Sequence, residues 1–316
     1  MKAQIELLDF AFKLLDSAVS PQDFTLILHF DEPPDIHALQ AGAKSACEIY
    51  GARAKRETPI DLERFVNNSF DLHLGYPIKQ TLIGATLATR FHHAAADGLS
   101  AALWLGHQLS VAYGLTPPAH APELSLRRAQ TSVRRSQFAY DGACDPLWTV
   151  AKSTRTGTRR WTTFHFCATD LRQACKRAGG FTYSDLLATC ALEVFARWNR
   201  QHNENGVVKV GLWLPMNIRS RSFEGFGNGT SRIRLYARYS PSASLLDKAR
   251  EVRQQVSWTT EHGEWAVPEI PLFTRLPRFI AAPALRRYLN RPSIDMATAV
   301  FSHSDRWAGD AREAFK

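Results

Sequence analysis

The sequence predicts an α+β fold in two similar lobes, each a mixed or mostly antiparallel sheet with covering helices. Three observations carry this. The chain has 316 residues and a mass of 35.5 kDa, long for one core and comfortable for two. Strand-like alternation gives way to helical spacing in the first half, and the same succession returns in the second. Between them, from about residue 115 to 160, runs a basic passage containing proline and serine that is too long for a loop inside one compact unit. The expected division is a first lobe over 1–118, a crossover over 119–160 and a second lobe over 161–316.

Phe24 to Phe30 is short, apolar and rich in β-branched and aromatic residues, and two prolines follow it, so it reads as a strand ending in a turn. Ile36, Leu39, Ala43, Cys47 and Tyr50 recur at helical spacing and predict a helix over 36–50. Thr81 to Phe91 reads as one strand, with Ile83, Ala85, Leu87 and Phe91 on one face. Gly98 opens a helix whose stripe is Leu99, Ala102, Leu103, Gly106, Leu109 and Tyr113, stopped before Pro117 and Pro118. In the second half, Thr162 to Cys167 reads as a strand, and Asp170 to Ala178 as a helix ended by Gly179 and Gly180. Thr182 and Asp185 form a capping pattern for a helix expected to bury Leu187, Cys190, Ala191, Val194 and Trp198. Val208 to Leu214 and Ser231 to Tyr239 alternate as strands, the latter with Arg232, Arg234 and Arg238 on its polar side.

Composition narrows the class. Hydrophobic residues make up 45 % and charged residues 22 %, an ordinary globular balance. The five cysteines form no CxxC pair, which argues against a disulfide scaffold or zinc ribbon and for a reducing, cytoplasmic setting. No apolar run approaches membrane-spanning length, and the acidic, amphipathic N-terminus lacks the order of a signal peptide. The net charge of +9 favours anionic partners such as phosphate-bearing cofactors, acidic proteins or an anionic membrane surface. Residues 121–160 hold eight Lys and Arg against three Asp and Glu but lack the pattern of a nucleic-acid module, so no nucleic-acid partner is expected. Trp104, Trp198 and Trp213 sit on apolar patterns and are expected in the core.

The stretch that carries chemistry is Arg90 to Gly98. His92 and His93 follow a strand, Asp97 comes four residues after His93, and Gly98 begins a helix. A strand-to-helix turn is where a rigid scaffold can present an imidazole, and a neutral histidine is the natural general base near pH 7. The plain alternative is a pair of partly buried histidines that satisfy backbone groups. A metal needs a third ligand, and none stands at zinc-like spacing, so no metal site is expected.

His92, His93, Asp97 and Gly98 together resemble the HHxxxDG motif of the chloramphenicol-acetyltransferase-like acyltransferases. That superfamily includes peptide-synthetase condensation domains and the wax ester synthase/diacylglycerol acyltransferases. Residues 179–198, with Thr182 and Asp185, are similar to a helix early in the family's second lobe. Val210 to Arg219 is similar to its strand ending in Pro-x-Asn-x-Arg, and Gly227-Asn228 to a Gly-Asn pair just after it. Residues 276–289 fall where the family has a helix before a Ser-Asn strand, although this chain reads Ser302-His303 there. Relatives continue beyond that strand, so the end at Lys316 is expected to mark a shortened member or a fragment.

The resemblance implies two chloramphenicol-acetyltransferase-like lobes with a channel between them, and a transferase of lipid or secondary metabolism. His93 would be the general base that deprotonates a hydroxyl or amine acceptor as it attacks a thioester. His92 would pack or hydrogen-bond, and Asp97 would pair with Arg219 for architecture, beside Gly98. Asn217 and Asn228 would orient backbone at the channel, contact substrate or form turns. The donor would be acyl-CoA or an acyl carrier protein, met by the Arg232, Arg234 and Arg238 stripe if that face is not simply solvated. No permanently bound cofactor is implied; the acceptor is a small molecule, the chain a monomer, and membrane contact at most peripheral. The rival reading is a non-catalytic domain of the same fold that docks a carrier or partner.

Overall fold

The computed structural model describes residues 22–58, 61–68, 70, 75–117, 144–145, 162, 167–202, 208–219, 225–262, 277–289 and 299–300. Most of the expected crossover, most of the strand at 162–167 and the Ser302-His303 pair lie outside the described residues.

The first half forms a four-stranded sheet in the order β1-β4-β3-β2, built from β1 (Asp23–His29), β2 (Ala54–Arg56), β3 (Ile78–Ile83) and β4 (Thr86–His92). β4 pairs antiparallel with both β1 and β3, while β2 joins β3 in parallel. The segment expected as one strand over 81–91 is a hairpin. Ile83 pairs with Thr86 across a turn at Gly84, whose φ of 57° lies in the left-handed region that glycine adopts without strain. Ile83 therefore does not share the face of Leu87 and Phe91 as its spacing suggested; Leu82, paired with Leu87, takes the core face in β3.

Helices α1 (Ile36–Tyr50) and α3 (Gly98–Ala112) pack on each other over this sheet; the short α2 (Leu62–Asn67) lies between β2 and β3 in sequence. Asp35 caps α1 by accepting from the His37 N–H at 2.8 Å, and Gly51 ends it at φ 67°. The two helices approach closely because Gly42 has no side chain: a Cβ there would lie 2.1 Å from the Gln108 carbonyl oxygen. α3 is not the one-striped surface helix expected from its spacing. Every residue from Ser100 to Ser110 is buried, whereas Tyr113, placed on the stripe, is exposed beyond its end. Its polar residues are paired: Gln108 and Gln80 bond amide to amide, and His107 meets Ser45 at 2.9 Å. Phe91, Trp104, Leu105 and Leu109 fill the core beneath.

The second half forms a three-stranded sheet in the order β6-β5-β7. β5 (Lys209–Asn217) pairs antiparallel with β6 (Thr230–Arg238) and parallel with β7 (Ala299–Val300). α4 (Ala168–Arg177) ends at Gly179 and Gly180, both at positive φ. α5 (Tyr183–His202) begins with a reciprocal capping box, Asp185 N–H to Thr182 Oγ1 at 3.1 Å and Thr182 N–H to Asp185 Oδ2 at 2.9 Å. Its buried face is Ala188, Leu192 and Ala196, packed on Val210, Leu212, Ile233 and Leu235. The face expected from large side chains is rotated away: Val194 is 62 % and Trp198 41 % exposed. Small residues let α5 lie close to the sheet, so they take the inner face. Trp104 is fully buried, and Trp213 is partly buried under the Arg232 guanidinium, 3.8 Å from its ring centre. α6 (Leu245–Glu261) is tied to β6 by Gln255, whose amide both accepts from and donates to the Tyr236 backbone at 2.8 Å. α7 (Arg278–Leu289) completes the described helices and contains Pro283. No helix among the described residues is long and apolar enough to cross a membrane.

Candidate active site

β4 ends at His92, and the turn from His93 to Ala95 leads to Asp97, the N-cap of α3. The turn is held from several sides. His92 N–H donates to the Pro77 carbonyl at 2.9 Å, His93 N–H to the Gln22 carbonyl at 2.8 Å, and Ala95 N–H to the His92 carbonyl at 2.9 Å. The His92 ring is completely buried, edge-on to Phe70, and its Nδ1 accepts from the Ala94 N–H at 2.9 Å. That bond needs a lone pair on Nδ1 and fixes the ring as a neutral brace of the turn.

His93 is only partly buried and lies against the Phe24 ring, with centroids 4.7 Å apart. Burial pulls its pKa below the ordinary histidine value and His92 adds to that, outweighing the opposite pull of Asp97, Asp23 and a bond to the Ala96 backbone. The shift favours the neutral form of the ring.

Asp97 holds the site to the second sheet. Its Oδ1 accepts from the Ser100 N–H and from Arg219 Nη2, both at 2.9 Å. Its Oδ2 accepts from Arg219 Nη1 and the Gly229 N–H at 2.9 Å and from the Thr230 hydroxyl at 2.7 Å. The Arg219 pairing is bidentate, and both side chains are buried. Burial alone would raise the Asp97 pKa, but the Arg219 charge and these hydrogen bonds hold it below the usual carboxylate range.

Arg219 follows β5. Besides Asp97 it donates through Nη2 to the Ser100 hydroxyl and the Gly227 carbonyl, both at 2.9 Å. The Ser100 hydroxyl also donates to the Gly227 carbonyl and accepts from the Gly227 N–H, joining the start of α3 to the segment before β6. Gly229 gives the guanidinium room, since a Cβ there would stand 2.6 Å from Arg219 Cζ. Phe226 stacks on Tyr50 of α1 from the same segment.

Asn217 and Asn228 both contact this framework. Asn217 Oδ1 accepts from the Arg219 N–H at 3.0 Å, and Asn228 Nδ2 donates to the His93 carbonyl at 2.6 Å. These bonds position Arg219 and His93. Gly98 has an ordinary backbone, and open space lies where its Cβ would be. Sequence reasoning missed Ser100, Gly229 and Thr230, although the second glycine after Gly227 was a visible signal. It also missed the buried Asp23–Arg90 pair on β1 and β4, where Arg90 Nε and Nη2 reach Asp23 Oδ2 at 3.0 and 2.6 Å. Among the described residues no cluster of three or more His, Cys, Asp or Glu is arranged to hold a metal ion.

No protein-family model matches the chain, and no curated protein sequence matches it. Solved structures do. The first condensation domain of the CDA synthetase superposes with a TM-score of 0.60 at 12 % identity, over 98 % of this chain and 80 % of that one. A mutant starter condensation domain of rhizomide synthetase, in complex with C8-CoA, gives 0.59 at 14 % identity over 95 % and 77 %. The X-domain from teicoplanin biosynthesis gives 0.52 at 12 % identity over 94 % and 76 %. At such identities the likeness is one of fold, and the chain has the mixed α+β fold of the condensation domains of peptide synthetases.

Proposed function

We propose that this chain is an acyltransferase that moves an acyl group from a thioester to a hydroxyl or amine, with His93 as general base. The observation that carries this is His93 itself: a neutral, partly buried imidazole on a turn locked by His92, Asn228 and the Asp97–Arg219 pair. In the reaction, the acceptor oxygen or nitrogen forms a bond to the thioester carbonyl carbon while an unprotonated ring nitrogen of His93 takes its proton. The carbon–sulfur bond then breaks, and His93 returns the proton to the departing thiolate, leaving the imidazole neutral for the next turnover. Asp97 is the structural member of the pair: its oxygens are occupied by Arg219, Ser100, Gly229 and Thr230, and it takes no part in proton transfer.

The two sheets would belong to two lobes, 1–118 and 161–316, with 119–160 crossing between them and the substrates meeting in a channel beside His93. The rhizomide synthetase neighbour in complex with C8-CoA supports an acyl-CoA donor; a carrier-bound acyl group is the other donor of the same chemistry. The test is mass detection of acylated product and free thiol, with acyl-CoA and acyl-carrier donors offered against a panel of alcohols and amines. Product with either donor supports the reading. No turnover with any pair, together with tight binding of a carrier or partner protein, would instead make this a docking domain, as for the X-domain solved in complex with OxyB.

A further inference from the structure

A cavity of about 360 Å³ opens between α1 and the β2–β3 side of the first sheet. None of His93, Asp97 or Arg219 lines it, so it is separate from the site above. Its volume is in the range of pockets that enclose small ligands. Its inner wall is apolar, with Leu39 and Leu87 buried and Ile36, Ala43 and Leu82 completing it. Its mouth is cationic: Lys44, Arg53 and Arg56 line it and are exposed, and among the described residues no acidic side chain lines it.

A cavity with an apolar interior and three cations at its mouth matches one kind of occupant. We propose that it binds an unbranched apolar chain ended by an anionic head, the chain lying on Leu39 and Leu87 and the head meeting Lys44, Arg53 and Arg56. Hydrophobic burial of the chain supplies affinity, and the mouth selects charge. Loss of this site would leave the His93 reaction intact, and failure of the acyl-transfer reading would leave this site intact.

The test uses dodecanoate, dodecyl phosphate and dodecanol at sub-micellar concentrations, measured by calorimetry on the full chain. Both anions should bind at least tenfold more tightly than the alcohol. Lys44→Ala/Arg53→Ala/Arg56→Ala, all at exposed positions, should remove that preference and leave dodecanol binding unchanged. Binding should persist in His93→Ala. In hydrogen exchange, dodecanoate should protect Ala54–Arg56 and Ile78–Ile83. Equal affinity for alcohol and anions, an unaltered preference in the triple variant, protection confined to the 92–98 turn, or no binding of any probe would each overturn the proposal.

Discussion

Substituting Asp97 and Arg219 singly and together tests whether their pairing ties the His93 turn to the second sheet. Asp97→Ala removes five hydrogen bonds from a buried carboxylate and strands the Arg219 guanidinium. Arg219→Ala strands the carboxylate in turn, at a position that is fully buried. Breaking a buried pair from one side costs about 3–5 kcal/mol. With an unfolding entropy of about 2.1 cal/mol/K per residue over 316 residues, that corresponds to a fall in Tm of about 5–8 °C, if the chain melts as one unit. The double variant leaves no unpaired charge, so it should lose clearly less than the two singles combined, with a coupling of about 1–3 kcal/mol. Differential scanning calorimetry and denaturant titration of the four proteins give the cycle. Additive losses, with coupling below about 0.5 kcal/mol, would refute the pairing as the tie between the elements.

Gly229→Ala places a Cβ 2.6 Å from Arg219 Cζ without backbone strain, so it should cost about 1–3 kcal/mol and lower activity by displacing the guanidinium; thermal melts and turnover check both. His92→Ala should destabilise the turn through loss of its bond to Ala94 but reduce turnover far less than His93→Ala, which parallel melts and initial rates would show. The lowered pKa of His93 means that kcat/KM should rise with pH through a midpoint below the ordinary histidine value, as a pH–rate profile would show. The same shift sets the sign of the stability change: the unfolded chain binds the His93 proton at a pH where the native one does not, so stability rises with pH between the two pKa values. Asp97 behaves as a depressed acid: its contribution is present above the unfolded pKa and lost as pH falls through the folded one. Denaturant titrations across acid pH should show that second loss in wild type and not in the Asp97→Ala/Arg219→Ala double variant.

Much of this could be read from the sequence because it is encoded locally. Strands β1, β5 and β6, helix α1 and the Thr182–Asp185 capping box follow from patterns contained within each segment. The turn at His92–Gly98 was legible as a motif, and its bond to Arg219 only through resemblance, since the two lie more than 120 residues apart. Ser100, Gly229 and Thr230 escaped notice for the same reason: a serine in the first turn of a helix looks ordinary until Gly227 and Arg219 arrive. The hairpin at Gly84 was missed because Ile83, Ala85 and Leu87 happen to alternate in sequence, whereas the core face actually passes from Leu82 to Leu87 across the turn. The inner face of α5 was misjudged because Val194 and Trp198 outrank Ala188 and Ala196 in hydrophobicity, whereas close helix–sheet packing selects the smaller side chains. Asn217 and Asn228 were legible as members of the site, and their bonds to the Arg219 N–H and the His93 carbonyl show them orienting its backbone.

The most direct test of the central claim is the turnover of His93→Ala beside wild type, at saturating thioester donor, with the acylated acceptor quantified by mass. Removal of a general base should lower kcat by about 10²–10⁴-fold while the melting curve and donor binding are kept. Equal turnover in the two proteins, both folded and both binding donor, would contradict the assignment of His93 and with it the mechanism proposed for this site.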